Sequence, residues 1–235
     1  MDSMARGGVR RYLDTTFPEE YCPDTGEVNL SELSLTGLAD LYGSDKGTIK
    51  HGYTQVYERV VLSLLGGRRR IDANLSLCEF GVACGASLRM WANYLPKSEI
   101  FGFDVRQDCG ALCKDLDNVK IVISDPRFYD FSKHRFDVIV EDASHISEDI
   151  VDIFKNSWPS VNPGGFYIVE DLSCTYNPNY TKQFSSTFNR KVINDRATIL
   201  SFLDAVMRLV DQRSELAYFE YRPQMLLLRK SPALD

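Results

Sequence analysis

The amino-acid sequence predicts an α/β protein with a doubly wound, mainly parallel sheet. From about residue 75 onward, short apolar runs alternate with stretches of helical periodicity, as expected of parallel strands with helices on both faces. Two runs, VIV at 138–140 and YIV at 167–169, are continuous rather than alternating. Continuous runs are typical of strands buried on both faces. We therefore expect a single domain over residues 1–235.

Within that domain, residues 1–66 are expected to form an N-terminal helical extension or lid, and 67–235 the core with the sheet. Residues 1–30 are rich in turn-forming residues and show no clear period, which predicts an irregular segment. Apolar spacing predicts one helix over about 29–43 and a second over about 53–65.

In the core, five predicted strands are interspersed with three predicted helices. The strands are LSLCEFG, EIFGFDV, VKIVISD, FDVIVED and FYIVEDL, and the helices are ASLRMWANYL, CGALCKDL and SEDIVDIFKNSWPSV, the last ending at Asn162-Pro163-Gly164-Gly165. A further helix is expected over about 196–212, followed by LAYFEY and MLLLRK as a C-terminal antiparallel strand pair. The polar, turn-rich connection at 172–195 is long for a compact domain, which is typical of a functional segment.

Charge and composition disfavour several classes of protein. The net charge of −6 disfavours binding to nucleic acid, which requires a basic surface. No apolar run approaches the ~20 residues that span a bilayer, and no apolar segment follows the basic N-terminus as in a secretory signal. Six cysteines without a CxxC pair disfavour structural zinc and favour a reduced chain. We expect a cytoplasmic protein with no membrane association.

A glycine-containing turn, EFGVACGAS, follows the first predicted strand and opens a helix. Gly81 and Gly85 allow the backbone to approach a ligand closely, and the helix that begins near Ser87 offers unpaired N–H groups. Glu79, two residues before the first glycine, suits a ligand that carries an ammonium group. The turn lacks the G-x-G-x-x-G spacing of dinucleotide sites, which disfavours a nicotinamide dehydrogenase.

The next two predicted strands also end in acidic residues. Asp104 lies 25 positions after Glu79 and can accept both ribose hydroxyls of a nucleoside. Asp125 ends the third strand, where it can meet an adenine amino group. Because ligands of open parallel sheets bind at the carboxyl ends of the strands, these acids together predict a nucleoside site.

A second group of polar residues follows the fourth and fifth strands. Neighbouring strand ends would bring Asp142, Glu170 and Asp171 into one patch. Clustered carboxylates raise each other's pKa unless a cation neutralises them, and ligands that are all oxygens favour Mg²⁺. His145, three residues after Asp142, can act as a general base near neutral pH. Glu141 is more simply interpreted as a structural acid that caps the following helix.

With these residues the sequence resembles the class I S-adenosylmethionine-dependent methyltransferases, which have a Rossmann-like fold. Their first motif is an acid-x-Gly-x-Gly-x-Gly turn, which Glu79, Gly81 and Gly85 match, while Ala83 replaces the middle glycine. Asp104 matches the acid that binds the ribose, and the final strand pair fits that fold. The resemblance implies that the whole chain is one methyltransferase domain.

A narrower resemblance covers about residues 38–172. A D-x-S-H segment, an E-D pair and a preceding Ser-Asp-Lys-Gly…His-Gly-Tyr segment are similar to the metal-dependent sugar O-methyltransferases of antibiotic tailoring, such as macrolide, aminocoumarin and rhamnosyl enzymes. That family usually has glycine where Ala143 stands. The resemblance implies S-adenosylmethionine and Mg²⁺ as cofactors, with the ion on Asp142, Glu170 and Asp171, His145 deprotonating a sugar hydroxyl, and Asp45, Lys46, His51 and Tyr53 bordering the cofactor or acceptor.

The expected partner is therefore a small-molecule sugar or glycoside, with homo-oligomerisation left open. A catechol-like or other vicinal-diol acceptor would use the same metal site. A cofactor-binding subunit without catalysis is a third possibility, against which Asp142 and His145 count, since a pure binder needs no base. Methylation of nucleic-acid ribose commonly uses a Lys-Asp-Lys-Glu tetrad, and no two lysines match it on the later strands.

Overall fold

The computed structural model describes residues 28–180 and 194–233, which form a seven-stranded sheet flanked by helices. Residues 1–27 of the expected extension and 181–193 of the expected functional connection lie outside the described residues. The strands are β1 Ser76–Phe80, β2 Glu99–Asp104, β3 Val119–Ile123, β4 Phe136–Glu141, β5 Val161–Val169, β6 Leu216–Arg222 and β7 Met225–Lys230. The α-helices are α1 Leu35–Leu41, α2 Thr54–Leu65, α3 Ala86–Tyr94, α4 Ser147–Ser157 and α5 Arg196–Asp211.

The strand order is β3-β2-β1-β4-β5-β7-β6. Strands β1 to β5 pair in parallel, whereas β7 runs antiparallel to both β5 and β6. The predicted doubly wound sheet with a C-terminal antiparallel pair is therefore confirmed. No helix within the two described ranges is both long and apolar enough to cross a membrane.

Three of the predicted elements differ in detail. The helix expected over 29–43 divides into a 3₁₀ turn at Leu30–Glu32 and helix α1, because Ser34 caps α1 by accepting a hydrogen bond from the backbone N–H of Gly37 at 3.0 Å. The segment CGALCKDL, residues 109–116, forms no α-helix, and only its first three residues belong to a 3₁₀ turn, Gln107–Ala111.

The expected stop at residues 162–165 belongs instead to the start of β5. Phe136 of β4 pairs with Val161 of β5, and Val138 pairs with Phe166. The four β5 residues from Asn162 to Gly165 therefore form an irregularity in the strand. Proline cannot donate to the ladder, which explains why Pro163 lies at this irregular point.

The core lies on both faces of the sheet. On one face, helices α1 to α3 pack against it, and the rings of Tyr57 and Trp91 lie 5.1 Å apart. On the other, Phe154 of α4 contacts both Tyr167 and Phe202, with ring centroids 5.1 and 4.9 Å away. Two-sided burial explains why the central strands read as continuous apolar runs.

The carboxyl ends of β1 to β5 align along one edge of the sheet. Phe80 at the end of β1 pairs with both Phe103 of β2 and Glu141 of β4, and Glu141 pairs in turn with Val169 of β5. The polar residues that follow these strands therefore share one edge, as the sequence predicts.

Gly81 is the point of closest approach between the turns after β1 and β4. Its φ is +95°, and a Cβ placed there would lie 2.1 Å from the carbonyl oxygen of Asp142. Two residues later, Ala83 also has a positive φ, at 50°. A left-handed conformation costs a residue with a side chain about 1–2 kcal/mol.

We expect opposite outcomes from two substitutions in this turn. Gly81→Ala should lower the free energy of unfolding by about 3 kcal/mol or more, because the added methyl meets backbone that cannot move aside. Ala83→Gly should change it by less than about 1 kcal/mol, since relief of left-handed strain offsets the greater entropy of glycine in the unfolded chain. Urea unfolding of both variants tests this, and a Gly81→Ala protein as stable as the parent would contradict the close approach.

Candidate active site

The acidic residues after β4 and β5 face each other at the carboxyl edge of the sheet. His145 Nε2 lies 3.7 Å from Asp142 Oδ1 and 3.8 Å from Asp171 Oδ2. All three side chains are between 14 and 19% exposed, so ligands can reach them. Among the described residues, Asp142, His145 and Asp171 form a group whose potential ligand atoms lie within 4.8 Å of one another.

Glu170, the third predicted metal ligand, lies deeper and is paired with a lysine. Its side chain is 1% exposed, and its Oε2 accepts a hydrogen bond from Lys46 Nζ at 2.9 Å. The same ammonium group donates to Asp142 Oδ2. Burial raises the pKa of Glu170 to about 7, although Lys46 opposes the shift.

Lys46 thus lies between two predicted metal ligands. The segment at residues 44–53 that carries it precedes α2 and packs against the acidic residues. Burial opposes the charge of Lys46, but the facing carboxylates of Asp142 and Glu170 hold its pKa well above the ordinary value. A fully buried ammonium is tolerated here because each carboxylate supplies a charged partner.

Two aromatic residues of the same segment cover Asp171. The hydroxyl of Tyr53 donates to Asp171 Oδ1 at 2.7 Å, and burial together with this carboxylate raises the pKa of Tyr53. His51 stacks on Tyr53 with ring centroids 4.9 Å apart, and its Nε2 lies 3.8 Å from Asp171 Oδ1. Asp171 therefore has one histidine near each of its oxygens.

The turns that carry His145 and Asp171 are both strained. Their φ angles are 55° and 52°, in the left-handed region that residues with side chains rarely adopt. Such strain persists only where surrounding contacts enforce it, and it concentrates at functional sites.

One buried amide enforces the His145 turn. Asn194 donates to the carbonyl oxygens of His145 at 3.1 Å and Cys174 at 2.9 Å, and its Oδ1 accepts from the backbone N–H of Ser147 at 2.8 Å. Asn194 is 3% exposed, so these bonds satisfy it without solvent. It joins the turn after β4 to the turn after β5.

The predicted cofactor residues around the glycine turn are largely engaged with one another. Glu79 is fully buried and accepts hydrogen bonds from Ser87 Oγ and from Trp91 Nε1, the latter at 2.9 Å. Burial raises the pKa of Glu79 to about 7, against the influence of Lys46. Gly85, with a φ of +80°, is the N-cap of α3 and provides no side-chain cap. The first N–H groups of α3 are therefore left without an intrahelical acceptor.

Asp104 supports this turn through its carboxylate. Its Oδ2 accepts from the backbone N–H groups of Val82 and Ala83 at 2.9 and 3.3 Å, while Oδ1 accepts from that of Arg106 at 2.9 Å. The structure thus brings the carboxylate of Asp104 to the backbone of the glycine turn, which it organises, and its contact with ribose hydroxyls stays a prediction.

Asp125 lies at the end of β3 and is held by Arg127, whose Nε donates to Asp125 Oδ1 at 3.0 Å. Arg127 also donates to Asp149 at 2.7 Å, and Asp149 in turn accepts from Ser144 Oγ at 2.7 Å. A chain of polar contacts therefore links the predicted adenine side of the site to the turn beside His145.

Sequence reasoning missed Asn194 and Arg127. A lone asparagine at the end of a turn-rich segment shows no spacing pattern, and Arg127 lies two residues after Asp125 in an apparently ordinary loop. Only the fold brings each beside a site residue. For Lys46, the resemblance gave the general location, but its partners are the predicted metal ligands.

The sequence and the fold were both compared with those of known proteins. No protein-family model matches the chain. An 8-demethyl-8-alpha-L-rhamnosyl tetracenomycin-C 2'-O-methyltransferase of Streptomyces olivaceus is 33% identical over 187 residues, which are 75% of this chain and 45% of that protein. An L-olivosyl-oleandolide 3-O-methyltransferase of Streptomyces antibioticus is 31% identical over 156 residues, 62% of this chain and 39% of that protein. The chain is related to the sugar O-methyltransferases of antibiotic pathways.

The fold of this chain also resembles that of a solved methyltransferase structure. The MycE methyltransferase of the mycinamycin pathway, solved in complex with Mg and SAH, aligns with a TM-score of 0.64 at 23% identity, over 85% of this chain and 55% of that chain. This likeness shows the class I methyltransferase fold. The chain spans less than half the length of the two sugar O-methyltransferases.

Glu141 lies beneath the site in this methyltransferase fold. It is fully buried, its Oε1 accepts from the backbone N–H of Ala143 at 3.3 Å, and its Oε2 has no hydrogen-bond partner within the described ranges. Burial raises the pKa of Glu141 to about 8. It supports the turn after β4 but does not cap the following helix as expected, since α4 begins after Ile146 without a side-chain cap.

We expect Glu141→Gln to flatten the dependence of stability on pH. Because the folded pKa lies above the ordinary value of 4.5, the native state binds more protons, so stability falls as pH rises from about 4.5 to about 8. At pH 8.5 the variant should be more stable than the parent by several kcal/mol, since a pKa shift from 4.5 to about 8 converts at about 1.4 kcal/mol per unit. Urea unfolding in EDTA at pH 5 and 8.5 measures this, and equal slopes for both proteins would contradict the assignment.

Proposed function

We propose that this chain is an S-adenosylmethionine-dependent, Mg²⁺-dependent O-methyltransferase that methylates a hydroxyl of a sugar or glycosylated small molecule. The observation that carries the proposal is the cluster of Asp142, His145 and Asp171 at the same sheet edge as the glycine turn. The names of its relatives support a sugar acceptor, and the Mg and SAH in the MycE structure support both cofactors.

The residues present fit a divalent ion. Asp142 and Asp171 offer carboxylate oxygens within ligand reach of each other, and Glu170 keeps a buried Oε1 with no hydrogen-bond partner in the described chain. Hard ions such as Mg²⁺ prefer oxygen ligands and retain positions for water or substrate. We therefore assign Asp142, Glu170 and Asp171 to the ion, which leaves the imidazole of His145 for proton transfer.

The glycine turn fits the methyl donor. Positive φ angles at Gly81 and Gly85 turn the chain sharply before α3, whose first N–H groups have no side-chain cap and could donate to a ligand. Glu79, Ser87, Asp104 and Asp125 surround this turn or the neighbouring strand ends, with Lys46 and Tyr53 on the side of the acids. We propose this set as the cofactor-binding residues.

When bound, the donor would supply an electrophilic methyl group, and the ion held by Asp142, Glu170 and Asp171 would lower the pKa of the acceptor hydroxyl. His145 accepts the hydroxyl proton at Nε2. The carboxylates of Asp142 and Asp171, 3.7 and 3.8 Å from that atom, stabilise the imidazolium that forms. Asn194 holds the turn of His145, and Tyr53 holds Asp171, so both groups are oriented before the acceptor binds.

The proposed partner is a small sugar or glycoside, with no role for nucleic acid or a membrane. Free cysteines at 78, 84, 109, 113 and 174 agree with a reduced, cytoplasmic setting. The turn Leu172–Tyr176 follows Asp171 directly, so we propose that the segment beginning there contributes to acceptor selection.

The test is His145→Asn, a substitution chosen because asparagine tolerates the left-handed backbone at this position. The parent chain should bind S-adenosylhomocysteine with micromolar affinity in Mg²⁺ buffer and methylate a glycoside acceptor. The variant should keep that affinity and lose about 10²–10⁴-fold in kcat, which is the usual contribution of a general base. Calorimetry and a product assay measure the two effects.

Each result has a separate meaning. No binding of S-adenosylhomocysteine to the folded parent would overturn the methyltransferase proposal. Binding with an unchanged kcat in the variant would remove His145 from the reaction. Turnover on catechols but not on glycosides would keep the chemistry and replace the acceptor class.

Asp171→Asn tests the metal assignment, again with a side chain that suits the strained backbone. We expect the variant to lose stimulation by Mg²⁺ and to bind the ion at least about tenfold more weakly, because an anionic ligand becomes neutral. Asp204→Asn on α5, an exposed acid paired with Arg208, removes the same charge far from the assigned ligands and should leave Mg²⁺ binding intact. Calorimetry with Mg²⁺ compares the two, and retained stimulation in Asp171→Asn would contradict the assignment.

A further inference from the structure

Lys46 places a fixed positive charge inside the proposed metal site. It is 2% exposed, and its ammonium group donates to Asp142 Oδ2 and to Glu170 Oε2. A third carboxylate oxygen, Asp45 Oδ1, lies 3.6 Å away. Residues of the proposed metal ligand set are thus already neutralised in part by a cation that belongs to the chain.

In the carboxylates of Asp142 and Glu170, the two oxygens lie in different surroundings. Asp142 presents Oδ2 to the ammonium group and Oδ1 to His145 Nε2 at 3.7 Å. Glu170 presents Oε2 to the ammonium group, while its buried Oε1 has no hydrogen-bond partner among residues 28–180 and 194–233. Each carboxylate therefore has one oxygen bound to Lys46 and another that is not.

Contacts with α1 and α2 fix the backbone around Lys46. The carbonyl of Lys46 accepts from the N–H of Thr54 at 3.2 Å, which ties it to the start of α2. On the other side, Thr48 donates through its backbone N–H to Asp40 of α1 at 2.8 Å. Between them, a Cβ on Gly47 would lie 2.1 Å from Asp40 Oδ1, so the segment packs closely on α1. The backbone of Lys46 is therefore fixed beside the two carboxylates that its ammonium group contacts.

We propose that Lys46 is a tethered cation that shares Asp142 and Glu170 with the divalent ion, keeping the two carboxylates in place while weakening the affinity of the site for the metal. The inference rests on the proposed function, since it assumes that these carboxylates bind the ion. It assigns Lys46 a positioning role in addition to its proposed place among the cofactor-binding residues.

Without Lys46, Glu170 and Asp142 would face each other with no cation, and unpaired buried charges are strongly destabilising. With Lys46, a divalent ion on the same carboxylates experiences a like charge at short range, and like charges oppose each other most where water is excluded. Lys46 therefore stabilises the metal-free protein and reduces the affinity for the ion.

Lys46→Met tests the inference, with Lys50→Met as a matched control. Lys50 lies on the same segment, pairs with Asp45 at 3.2 Å and is 40% exposed, so the control removes the same charge at the surface. Mg²⁺ affinity is measured by calorimetry and thermal unfolding is recorded in EDTA and in Mg²⁺, both without methyl donor. We expect Lys46→Met to lower the Tm in EDTA, to bind Mg²⁺ about tenfold more tightly than the parent and to regain stability in Mg²⁺. Lys50→Met should stay within about twofold of the parent.

The outcomes separate this inference from the proposed function. If the parent binds Mg²⁺ and Lys46→Met binds it equally or more weakly, Lys46 is not a competing cation, while the metal assignment stands. If only Lys46→Met binds Mg²⁺, the competition is stronger than expected and the inference is supported. If neither protein binds Mg²⁺, both the inference and the metal assignment are overturned.

A second variant covers the case in which Lys46→Met does not fold. Lys46→Gln keeps a hydrogen-bond donor for Asp142 or Glu170 without the charge. It should also bind Mg²⁺ more tightly than the parent, by several-fold. Equal or weaker binding by a folded Lys46→Gln protein would overturn the inference.

Discussion

The absence of a side chain at Gly81 is the constraint on which the site depends. The carbonyl of Asp142 occupies the space that a Cβ at Gly81 would need. This close approach continues the pairing of β1 and β4 beyond the last strand residues, as shown by the hydrogen bond from the N–H of Asp142 to the carbonyl of Phe80 at 3.0 Å. The turn proposed to bind the methyl donor and the turn proposed to bind the metal therefore lie side by side. A methyl donor and its acceptor must meet at such a junction, because in-line transfer requires both to be held within contact distance.

Buried charge is the second organising feature, and it explains why the N-terminal segment is part of the site. Glu79, Glu141 and Glu170 are all fully buried, and burial raises the pKa of each. Lys46 comes from a segment outside the sheet and supplies positive charge to this region. The residues before the sheet thus complete the electrostatics of the carboxyl edge, and the helices α1 and α2 fix the position from which they do so.

The fold could be predicted from sequence because its signals are local. Continuous apolar runs, glycine turns and the final strand pair each depend on a few neighbouring residues, and all three are present in the structure. The proximity of Asp142 and Asp171 could be predicted because neighbouring strand ends meet at one edge, whereas Glu170, expected in the same patch, lies deeper against Lys46. The partners of these residues were not predictable in the same way. Lys46 is 96 positions from Asp142 and Asn194 is 49 positions from His145, and no periodicity reports contacts at such separations.

Among the described residues, six that carry side chains adopt left-handed backbone, and three of them, Ala83, His145 and Asp171, lie in the turns directly after β1, β4 and β5. At Ala83 the resemblance to methyltransferases leads one to expect glycine, which would relieve the strain at that position. At His145 and Asp171 the side chain itself is required by the proposed chemistry, and glycine would remove it. Their strain is therefore offset by contacts, from Asn194 to the carbonyl of His145 and from Tyr53 to the carboxylate of Asp171. At these two positions the proposed mechanism requires a side chain, so glycine cannot relieve the strain as it could at Ala83.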